Sequence, residues 1–494
     1  MALPHARWHT EDMAKDPPEK QPSNRSAPIS EAFRTFIQSG WSPSHPTPAA
    51  RLPIADYAAT RRDAVSESFP GITLVIPAGS PKQRSNDTDY PYRPHSAFSY
   101  FTGWGHDTTA GSVLQGLWRG DHHEWTLFAR GPAPRTSDEF YANAAIGEFW
   151  TGRRRSLDEV ATRFGIATAE RETFVFPDSE SSPIALVWEA DPALSGELET
   201  LRGSEGPQSD DDDLERVASE MRLVKDDCEI AELREAVAST HRGFTDILEA
   251  LPGAIGHERG ERVIEGAFHQ RARIEGNAVG YDSIVAAGSH ACILHWVDND
   301  GPIRDGDLLL VDAGVERESL YTADITRTLP VNGRFTQQQR LVYEAVLEAA
   351  DAAFDAVKPG VPFHTVHDTA MAVIARHVSE WGFLPVSLEE TLEKTSQLHR
   401  RYMIHGTSHH LGLDVHDCAH ARRERYLLGT IEPGMVFTIE PGLYFQPDDE
   451  TVPAEWRGIG VRIEDDILVT RDGAENLSAG IPRTADEVET WMAR

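Results

Sequence analysis

The sequence predicts an α/β protein with two domains, of which the second is the larger. Three observations support this prediction. From about residue 51 onwards, short apolar runs bounded by glycine and proline are interspersed with helical patterns. Long segments of the second half carry apolar residues at helical spacing. The 494 residues are 40% hydrophobic and 26% charged, an ordinary globular composition in a chain long enough to bury large cores.

Residues 1–50 form an extension that precedes the first periodic segment. They are rich in proline, serine, histidine and charged residues and show little periodicity. The segment is either a disordered tail or an arm that contacts a neighbouring subunit. In the second case, its anchors would be Phe33, Phe36, Ile37 and Trp41.

Residues 51–202 are predicted to form the first α/β domain. The run from Gly71 to Pro77 is typical of a buried strand. Further elements are predicted strands at residues 98–101, 112–118 and 124–129 and a predicted helix at residues 157–164.

A polar segment, residues 203–216, separates the two domains. It contains four consecutive aspartates, Asp210 to Asp213, which follow glycine, proline and serine. A run of like charges in such a context is not expected to pack as a secondary-structure element. We therefore predict a solvated acidic linker; the sharper alternative is an acidic metal-binding segment.

Residues 217–494 are predicted to form the second domain, with helices and strands in mixed order. One amphipathic helix spans residues 228–251. Another begins at Thr336, where Gln339 completes a capping box. The remaining predicted elements are a helix at residues 362–381 and strands at residues 307–311, 322–331, 435–440 and 458–470.

Charge and cysteine content exclude several classes of partner and fold. The 47 basic and 79 acidic residues give a net charge of −32, which repels nucleic-acid phosphates and anionic membrane surfaces. No run of about 18 apolar residues predicts a transmembrane helix, and no apolar N-terminal segment resembles a secretion signal. Three widely spaced cysteines disfavour a disulfide scaffold and a structural zinc site. These features favour a cytoplasmic protein.

Four acidic residues stand within or at the ends of apolar strands of the second domain: Asp312, Asp324, Glu440 and Glu464. The spacing between Asp312 and Asp324 suits a hairpin that presents both carboxylates on one face. Any one of these residues alone could be a strand-end residue that caps a turn. Four carboxylates that converge in a core would repel one another and would require a cation.

Several histidines accompany these acids. His405, His409 and His416 recur within a short segment that also contains two glycines, and His295 lies in another apolar segment. A lone histidine in such a place is most often an ordinary core residue. Together with the acids, the cluster favours a metal site with neighbouring proton donors.

At these residues the sequence resembles the aminopeptidase P family, proline-specific metallopeptidases of the pita-bread superfamily that also holds prolidase and methionine aminopeptidase. The matching segments of the second domain are MRLVKDDCEIAELREA from Met221, ILHWVDND from Ile293, VDAG from Val311, TADITRTLPVNGRFT from Thr322, HGTSHHLGLDVHD from His405, IEPGMVFTIEPGLY from Ile431 and WRGIGVRIEDDILVT from Trp456. The first domain adds DTDYPYRPHSAFSYFTGW from Asp87 and FWTGRR from Phe149. The resemblance implies a C-terminal pita-bread domain with a mixed, largely antiparallel sheet after a smaller creatinase-type α/β domain.

The resemblance also implies a site with two divalent metal ions. The family's metal ligands correspond to Asp312, Asp324, His409, Glu440 and Glu464, of which Asp324 and Glu464 would bridge both ions. One imidazole and four carboxylates form a hard donor set without thiolate, which favours Mn²⁺. One departure from the family is an extra residue near Glu318, in the loop between the two aspartates, which is not expected to change how the strands face.

Further residues take catalytic roles by the same resemblance. The family's active-site histidines correspond to His295, His405 and His416. Tyr444 and Arg462 match residues that hold Asp312 and the water at the metals. Glu440 is placed to carry a proton from that water to the leaving proline nitrogen, and His405 or His416 would donate a hydrogen bond to the developing oxyanion.

The implied activity is that of an Xaa-Pro aminopeptidase, which removes the N-terminal residue from peptides with proline in second position. An Xaa-Pro dipeptidase (prolidase) has the same ligands, and the segment between Tyr90 and Trp104 favours the aminopeptidase. A metal-free pita-bread protein that only binds peptides is a remote alternative, because such proteins lack several ligands. The resemblance further implies a homodimer or homotetramer. In it, Trp104 either matches an aromatic position that borders a neighbouring active site or is simply a core residue.

Overall fold

The computed structural model describes residues 29–42, 49–86, 88–177 and 183–493. The chain forms two compact units. The first consists of Met1–His45 with Pro132–Arg153, and the second of Pro46–Gly131 with Arg154–Arg494. Much of the predicted N-terminal extension, residues 1–28 and 43–48, lies outside the described residues.

The helices and strands follow each other along the chain in the mixed order that the sequence predicts. The helices are α1 Glu31–Ile37, α2 Ile54–Ser68, α3 Ser96–Thr102, α4 Asp138–Ala142, α5 Glu148–Thr151, α6 Leu157–Phe164, α7 Pro192–Arg202, α8 Ser209–Met221, α9 Asp227–Ala254, α10 Gly260–Glu275, α11 Gln337–Ala356, α12 His364–Glu380, α13 Leu388–Leu392, α14 Arg423–Tyr426 and α15 Ala485–Met492. The strands are β1 Thr73–Pro77, β2 Gln83–Ser85, β3 Thr88–Asp89, β4 Val113–Trp118, β5 His123–Ala129, β6 Ala167–Glu170, β7 Ile184–Leu186, β8 Ala278–Val279, β9 Ile284–Ala287, β10 Leu308–Ala313, β11 Val315–Glu316, β12 Ile325–Pro330, β13 Val436–Ile439, β14 Gly442–Tyr444, β15 Gly460–Arg462, β16 Asp465–Val469 and β17 Ala474–Asn476.

The first unit contains α1, α4 and α5 around a small aromatic cluster. Phe33 and Trp41 pack edge-on against Tyr141 and Phe140, with ring centroids 6.0 and 5.5 Å apart. Ile37 also packs against this cluster, so three of the four predicted anchors of an intersubunit arm contact their own chain. Phe36, the fourth, is 78% exposed.

The first domain is built on a five-stranded mixed sheet in the order β6-β5-β4-β1-β7. β1 pairs antiparallel with β4 and parallel with β7. The predicted strands at residues 71–77, 112–118 and 124–129 correspond to β1, β4 and β5, and the predicted helix at residues 157–164 is α6.

The prediction of a strand at residues 98–101 is wrong, because this segment lies in helix α3. All seven residues of α3 are buried, so its sequence has no polar face that would distinguish a helix from a buried strand. The imidazole of His95 caps the helix by accepting a hydrogen bond from the Ala97 amide. Gly103 ends it in a left-handed conformation (φ 74°) that favours glycine.

Trp104 is a core residue of the second unit and cannot border a neighbouring active site. Its side chain is 1% exposed and stacks on Phe164, with ring centroids 5.5 Å apart. Its indole N–H donates to Asp107. Of the two alternatives for Trp104, the core residue is therefore confirmed, and the intersubunit contact is wrong.

The prediction of a linker at residues 203–216 is also wrong for its acidic half. Helix α8 begins at Ser209, and Asp210, Asp211 and Asp212 occupy its first turn, where the helix dipole favours negative charge. Asp211 is fully buried. Its charge is stabilised there because the carboxylate accepts two hydrogen bonds from Arg202 (2.6 and 3.0 Å) and one from the Leu186 amide (2.8 Å). The acidic run thus packs as a helix terminus and does not form a metal-binding segment.

The second domain contains small antiparallel sheets, of which the two largest have the orders β12-β10-β9 and β13-β16-β17. The three predicted amphipathic helices correspond to α9, α11 and α12, and the capping box of Thr336 and Gln339 is present. The strand predicted at residues 458–470 is split into β15 and β16. Apolar side chains of α9, α10, α11 and α12 pack with those of the strands in one continuous core. No helix among the described residues is long and apolar enough to cross a membrane.

Candidate active site

One cavity of about 560 Å³ in the second domain brings most of the predicted site residues together. Its lining includes Asp312, Asp324, His409, Glu440 and Glu464, and also His295, His405, His416 and Arg462. Tyr444 contacts this wall from behind through hydrogen bonds to His405 and Arg462.

The hairpin of β10 and β12 positions the two aspartates. Asp312 pairs with Thr326 across the hairpin, and Asp324 directly precedes β12. Both carboxylates reach the Tyr281 hydroxyl, which lies 2.7 Å from Asp312 Oδ1 and 2.5 Å from Asp324 Oδ1. The two side chains therefore meet on one side of the hairpin, as their spacing predicts.

The loop near Glu318, where the resemblance implies an extra residue, is a tight turn beyond the hairpin. The Leu320 amide donates to the Arg317 carbonyl, and the Arg317 amide donates to the Tyr321 carbonyl. Leu320 takes a left-handed φ of 75° and is buried. The β10–β12 register is continuous from Leu308 to Ala313, so the loop leaves the facing of the aspartates unchanged.

Glu464 and Glu440 enter the cavity from the ends of neighbouring strands. Glu464 lies between β15 and β16, where its amide donates to the Thr326 carbonyl (3.1 Å) and its carboxylate accepts from the Thr326 hydroxyl (2.6 Å). Glu440 follows β13, and its amide donates to the Thr407 carbonyl (2.8 Å). Each backbone contact fixes the point from which a carboxylate projects.

His409 lies at the centre of the carboxylates. Its Nε2 is 3.3 Å from Asp324 Oδ2, 3.6 Å from Glu440 Oε1 and 4.0 Å from Glu464 Oε1. Ligand atoms of Asp324, His409 and Glu464 all lie within 4.8 Å of one another, a spacing that can hold a metal ion. The Nδ1 of His409 is 3.3 Å from the His410 carbonyl, which leaves Nε2 directed at the acids.

The electrostatics of the cavity favour a cation. Burial, together with the charges of Asp324 and Glu440, raises the pKa of Glu464 well above its usual range. Burial also raises the pKa of Asp312 and that of Glu440 to about 7. Burial acts in the same direction on Asp324, but the hydrogen bond and charge of His409, together with the Tyr281 hydrogen bond, outweigh burial and lower the pKa of Asp324.

The donor set itself fits divalent metal ions. Carboxylate oxygens and one imidazole nitrogen converge on one space, and no thiolate lines it. Cations in the cavity would neutralise the carboxylate charges, which burial and mutual repulsion destabilise.

Arg462 holds one side of the site in place. Its guanidinium donates to Asp312 Oδ2 (2.5 Å), to the Tyr444 hydroxyl (3.1 Å) and to the Thr326 hydroxyl (3.1 Å). The side chain is 4% exposed, so its charge acts on the cavity with little screening by water. Asp312 is thereby kept in one orientation towards the Tyr281 hydroxyl.

The histidines around the acids differ in their hydrogen bonding. His405 uses both ring nitrogens, with Nδ1 2.7 Å from the Gly406 carbonyl and Nε2 2.7 Å from the Tyr444 hydroxyl. Burial and the Arg462 charge lower the pKa of His405 to about 3, so the ring is neutral. The His416 ring packs edge-on against that of His409, with centroids 4.5 Å apart, and burial lowers its pKa.

Tyr281 is the site residue that sequence reasoning missed. It lies just before β9, and its hydroxyl reaches both aspartates because β9 pairs with β10. The one sequence signal is its position in front of an apolar strand, which does not distinguish it from an ordinary strand-end tyrosine.

Comparisons with known proteins show which family the chain resembles. Residues 231–471 match the profile of metallopeptidase family M24, and residues 58–174 match that of the aminopeptidase P N-terminal domain. Xaa-Pro aminopeptidase 1 of Streptomyces coelicolor is 47% identical over 494 residues, which is 100% of this chain and 97% of that protein. Xaa-Pro aminopeptidase of Escherichia coli is 36% identical over 87% of this chain and 96% of that protein.

Solved structures show the same likeness in three dimensions. The aminopeptidase PepP of Pseudomonas aeruginosa superposes with a TM-score of 0.76 at 32% identity, covering 90% of this chain and 98% of that one. Aminopeptidase P of E. coli with the inhibitor Pro-Leu gives a TM-score of 0.77 at 33% identity, covering 90% and 99%. The chain therefore belongs to metallopeptidase family M24 and, within it, to the aminopeptidase P family.

Proposed function

We propose that this protein is an Xaa-Pro aminopeptidase that releases the N-terminal residue from peptides with proline in second position. The observation that carries the proposal is the convergence of four carboxylates and one imidazole in a cavity whose wall also holds three histidines. The names of the relatives that cover nearly the whole chain support the same activity.

Two divalent ions, Mn²⁺ by preference, are the proposed cofactors. The proposed ligands are Asp312, Asp324, His409, Glu440 and Glu464, with Asp324 and Glu464 shared between the ions. Bound metal ions would supply Lewis-acid polarisation of the scissile carbonyl and a water of lowered pKa. The preference for Mn²⁺ rests on the hard oxygen-rich donor set.

The protein's own residues would bind the peptide and move its protons. Glu440, whose carboxylate oxygens lie near His409 and His405, would accept a proton from the attacking water and return it to the leaving proline nitrogen. Asp312, held by Arg462, would accept a hydrogen bond from the substrate's free amine. That contact would restrict cleavage to the N-terminal end of a peptide.

His416 is the better candidate for the donor to the developing oxyanion. Both ring nitrogens of His405 already have partners in Gly406 and Tyr444. We find no hydrogen bond from the His416 imidazole in the described parts of the chain, so its donor is available to a ligand. His405 would instead hold the substrate near its proline once the Tyr444 contact opens.

An assay of two substrates separates this proposal from a prolidase. Purified protein with added Mn²⁺ should cleave a proline-second tripeptide at least as fast as an Xaa-Pro dipeptide. Cleavage of the dipeptide alone would establish a prolidase. Absence of both activities, with no metal found by elemental analysis, would favour a protein that only binds peptides.

A homodimer or homotetramer in the cytoplasm is the proposed state of the enzyme. The large exposed side chains of Phe149 and Trp150 support an oligomer, because exposed apolar patches often mark protein interfaces. A monomeric mass of the active enzyme in light scattering would contradict the proposed oligomer.

The free cysteines Cys228, Cys292 and Cys418 are consistent with a reducing compartment such as the proposed cytoplasm. Cell fractionation would test that location.

A further inference from the structure

A fully buried carboxylate lies outside the metal site, behind the loop that carries His295. Glu261 is the second residue of α10 and is 0% exposed. The loop, residues 288–301 and hereafter the His295 loop, runs from the end of β9 past the cavity. The proposed mechanism assigns no role to Glu261.

Four N–H donors of the His295 loop and its stem converge on this one carboxylate. Oε1 accepts from the Ala287 amide (2.8 Å) and from His290 Nδ1 (2.8 Å). Oε2 accepts from the Gly301 amide (2.7 Å) and from Trp296 Nε1 (2.9 Å). A carboxylate has about four acceptor sites, so all of them are used.

Side chains and backbone also pack closely around the Glu261 carboxylate. The ring of His290 stacks on that of Trp296, with centroids 3.9 Å apart. A Cβ added at Gly301 would lie 2.8 Å from Glu261 Oε2 and 2.6 Å from His290 Cε1. The position therefore requires glycine for close approach, and the loop closes tightly on the carboxylate.

Within residues 293–297, which bear His295, the backbone hydrogen bonds of the described structure stay inside the loop, from the Ile293 amide to the His290 carbonyl and from the Val297 amide to the His295 carbonyl. Before it, Cys292 is tied to the end of β14 through its carbonyl, which accepts from Gln446 (2.8 Å). After it, Arg262 donates to the Asp298 carbonyl. Asn299 donates to the Ser283 carbonyl (2.8 Å) and to Glu265 (2.9 Å) and accepts from the Val285 amide (2.9 Å). For the His295 imidazole itself, we find no hydrogen bond within the described chain. The position of the His295 imidazole therefore depends on how the loop is anchored.

We propose that Glu261 is a positioning residue that anchors the His295 loop and so places the His295 imidazole at the wall of the active-site cavity. The two stem amides, Ala287 and Gly301, fix where the loop leaves and rejoins the domain. The two side-chain donors, His290 and Trp296, fix how it folds between those points. The consequence for catalysis rests on the proposed function, because His295 lines the cavity in which the peptide would bind.

The isosteric variant Glu261→Gln tests the anchor directly. Whichever oxygen becomes an NH₂ group, two N–H donors of the loop lose their acceptor and face another donor. Hydrogen–deuterium exchange in residues 287–301 should accelerate at least about tenfold, and kcat/KM for a proline-second tripeptide should fall about 10–100-fold, with unchanged metal content. Glu258→Gln is the matched control, because Glu258 is exposed just before the same helix.

A double-mutant cycle distinguishes positioning from a purely structural role. If Glu261 acts through His295, then Glu261→Gln should change kcat/KM less than about threefold in a His295→Ala background. Full additivity of the two losses, or unchanged exchange in residues 287–301, would overturn the proposal. Gly301→Ala keeps the carboxylate but forces the loop away from it, and it should reproduce both effects of Glu261→Gln.

The exchange measurement needs no substrate, so the two proposals can fail separately. A wild-type protein that cleaves no proline-second peptide would refute the proposed function, and loop exchange in the Glu261→Gln variant would still decide whether Glu261 is the anchor. An active wild type with no change in loop exchange on substitution would refute the anchor alone.

Discussion

His405 and Tyr444 share a hydrogen bond at the wall of the active-site cavity, with Nε2 2.7 Å from the hydroxyl oxygen. The Gly406 carbonyl lies 2.7 Å from Nδ1, so this nitrogen carries the ring proton and Nε2 accepts from Tyr444. The same hydroxyl accepts from Arg462. His405 is thereby connected to Asp312 through the side chains of Tyr444 and Arg462.

His405→Ala and His409→Ala are expected to differ in metal content. His409 faces three carboxylates through Nε2, so His409→Ala should lose bound metal and activity together. His405→Ala should keep the metal, while kcat falls about 10²–10³-fold, the usual effect of removing one preorganised group. Elemental analysis and kcat of the two variants side by side test this. If His405→Ala lost metal while His409→Ala kept all of it, His405 would be the metal ligand and His409 would not.

Asp324→Asn and Glu464→Gln should each abolish measurable activity and lower metal content. Both residues are proposed bridges, so each change weakens bonds to two ions at once. Asp324 and Glu464 also face the same His409 nitrogen, which makes compensation by the remaining residue poor. Titration of the apo variants with Mn²⁺ would measure the loss. Two tightly bound ions and wild-type kcat in either variant would show that it is not a bridge.

Tyr281→Phe should weaken metal binding without unfolding the protein. The hydroxyl lies between Asp312 and Asp324 and orients both carboxylates, and loss of such a supporting contact typically costs about 10–100-fold in metal affinity or activity. Tyr90→Phe is the control, because Tyr90 is 49% exposed. Isothermal titration with Mn²⁺ compares the variants. Equal affinities in both would leave Tyr281 with a packing role only.

The sequence predicts the site better than it predicts its surroundings. Asp312 and Asp324 could be placed on one hairpin because strand alternation and a twelve-residue spacing determine their facing. The contact of Tyr281 with them could not be predicted, because it spans 31 and 43 residues and depends on the β9–β10 register. Glu261 is hidden for the same reason, since its four partners lie 26 to 40 residues further along the chain.

The wrong predictions of a strand at residues 98–101 and of a linker at residues 203–216 each have a physical cause. In α3, helix and strand are indistinguishable by periodicity because the helix is buried on every side. At residues 210–213, charge density alone favours a linker, but Arg202 neutralises the buried Asp211 and the remaining acids stabilise a helix N-terminus. Neither the burial of α3 on every side nor the pairing of Asp211 with Arg202 can be predicted without knowing which residues are neighbours in space.

His95 should make folding stability depend on pH between about 4 and 6.5. Burial, with the charge of Arg222 next, lowers its pKa from 6.5 to about 4, against an opposing effect of Asp414. Between those values the unfolded chain binds a proton that the folded protein does not, so stability falls as pH decreases from 6.5 towards 4, by at most about 3 kcal/mol. His95→Asn removes this titration and keeps an acceptor at the N-cap of α3. Thermal unfolding at pH 7 and pH 5 should therefore show a smaller drop in Tm for the variant than for the wild type. Equal drops would mean that His95 is protonated alike in both states.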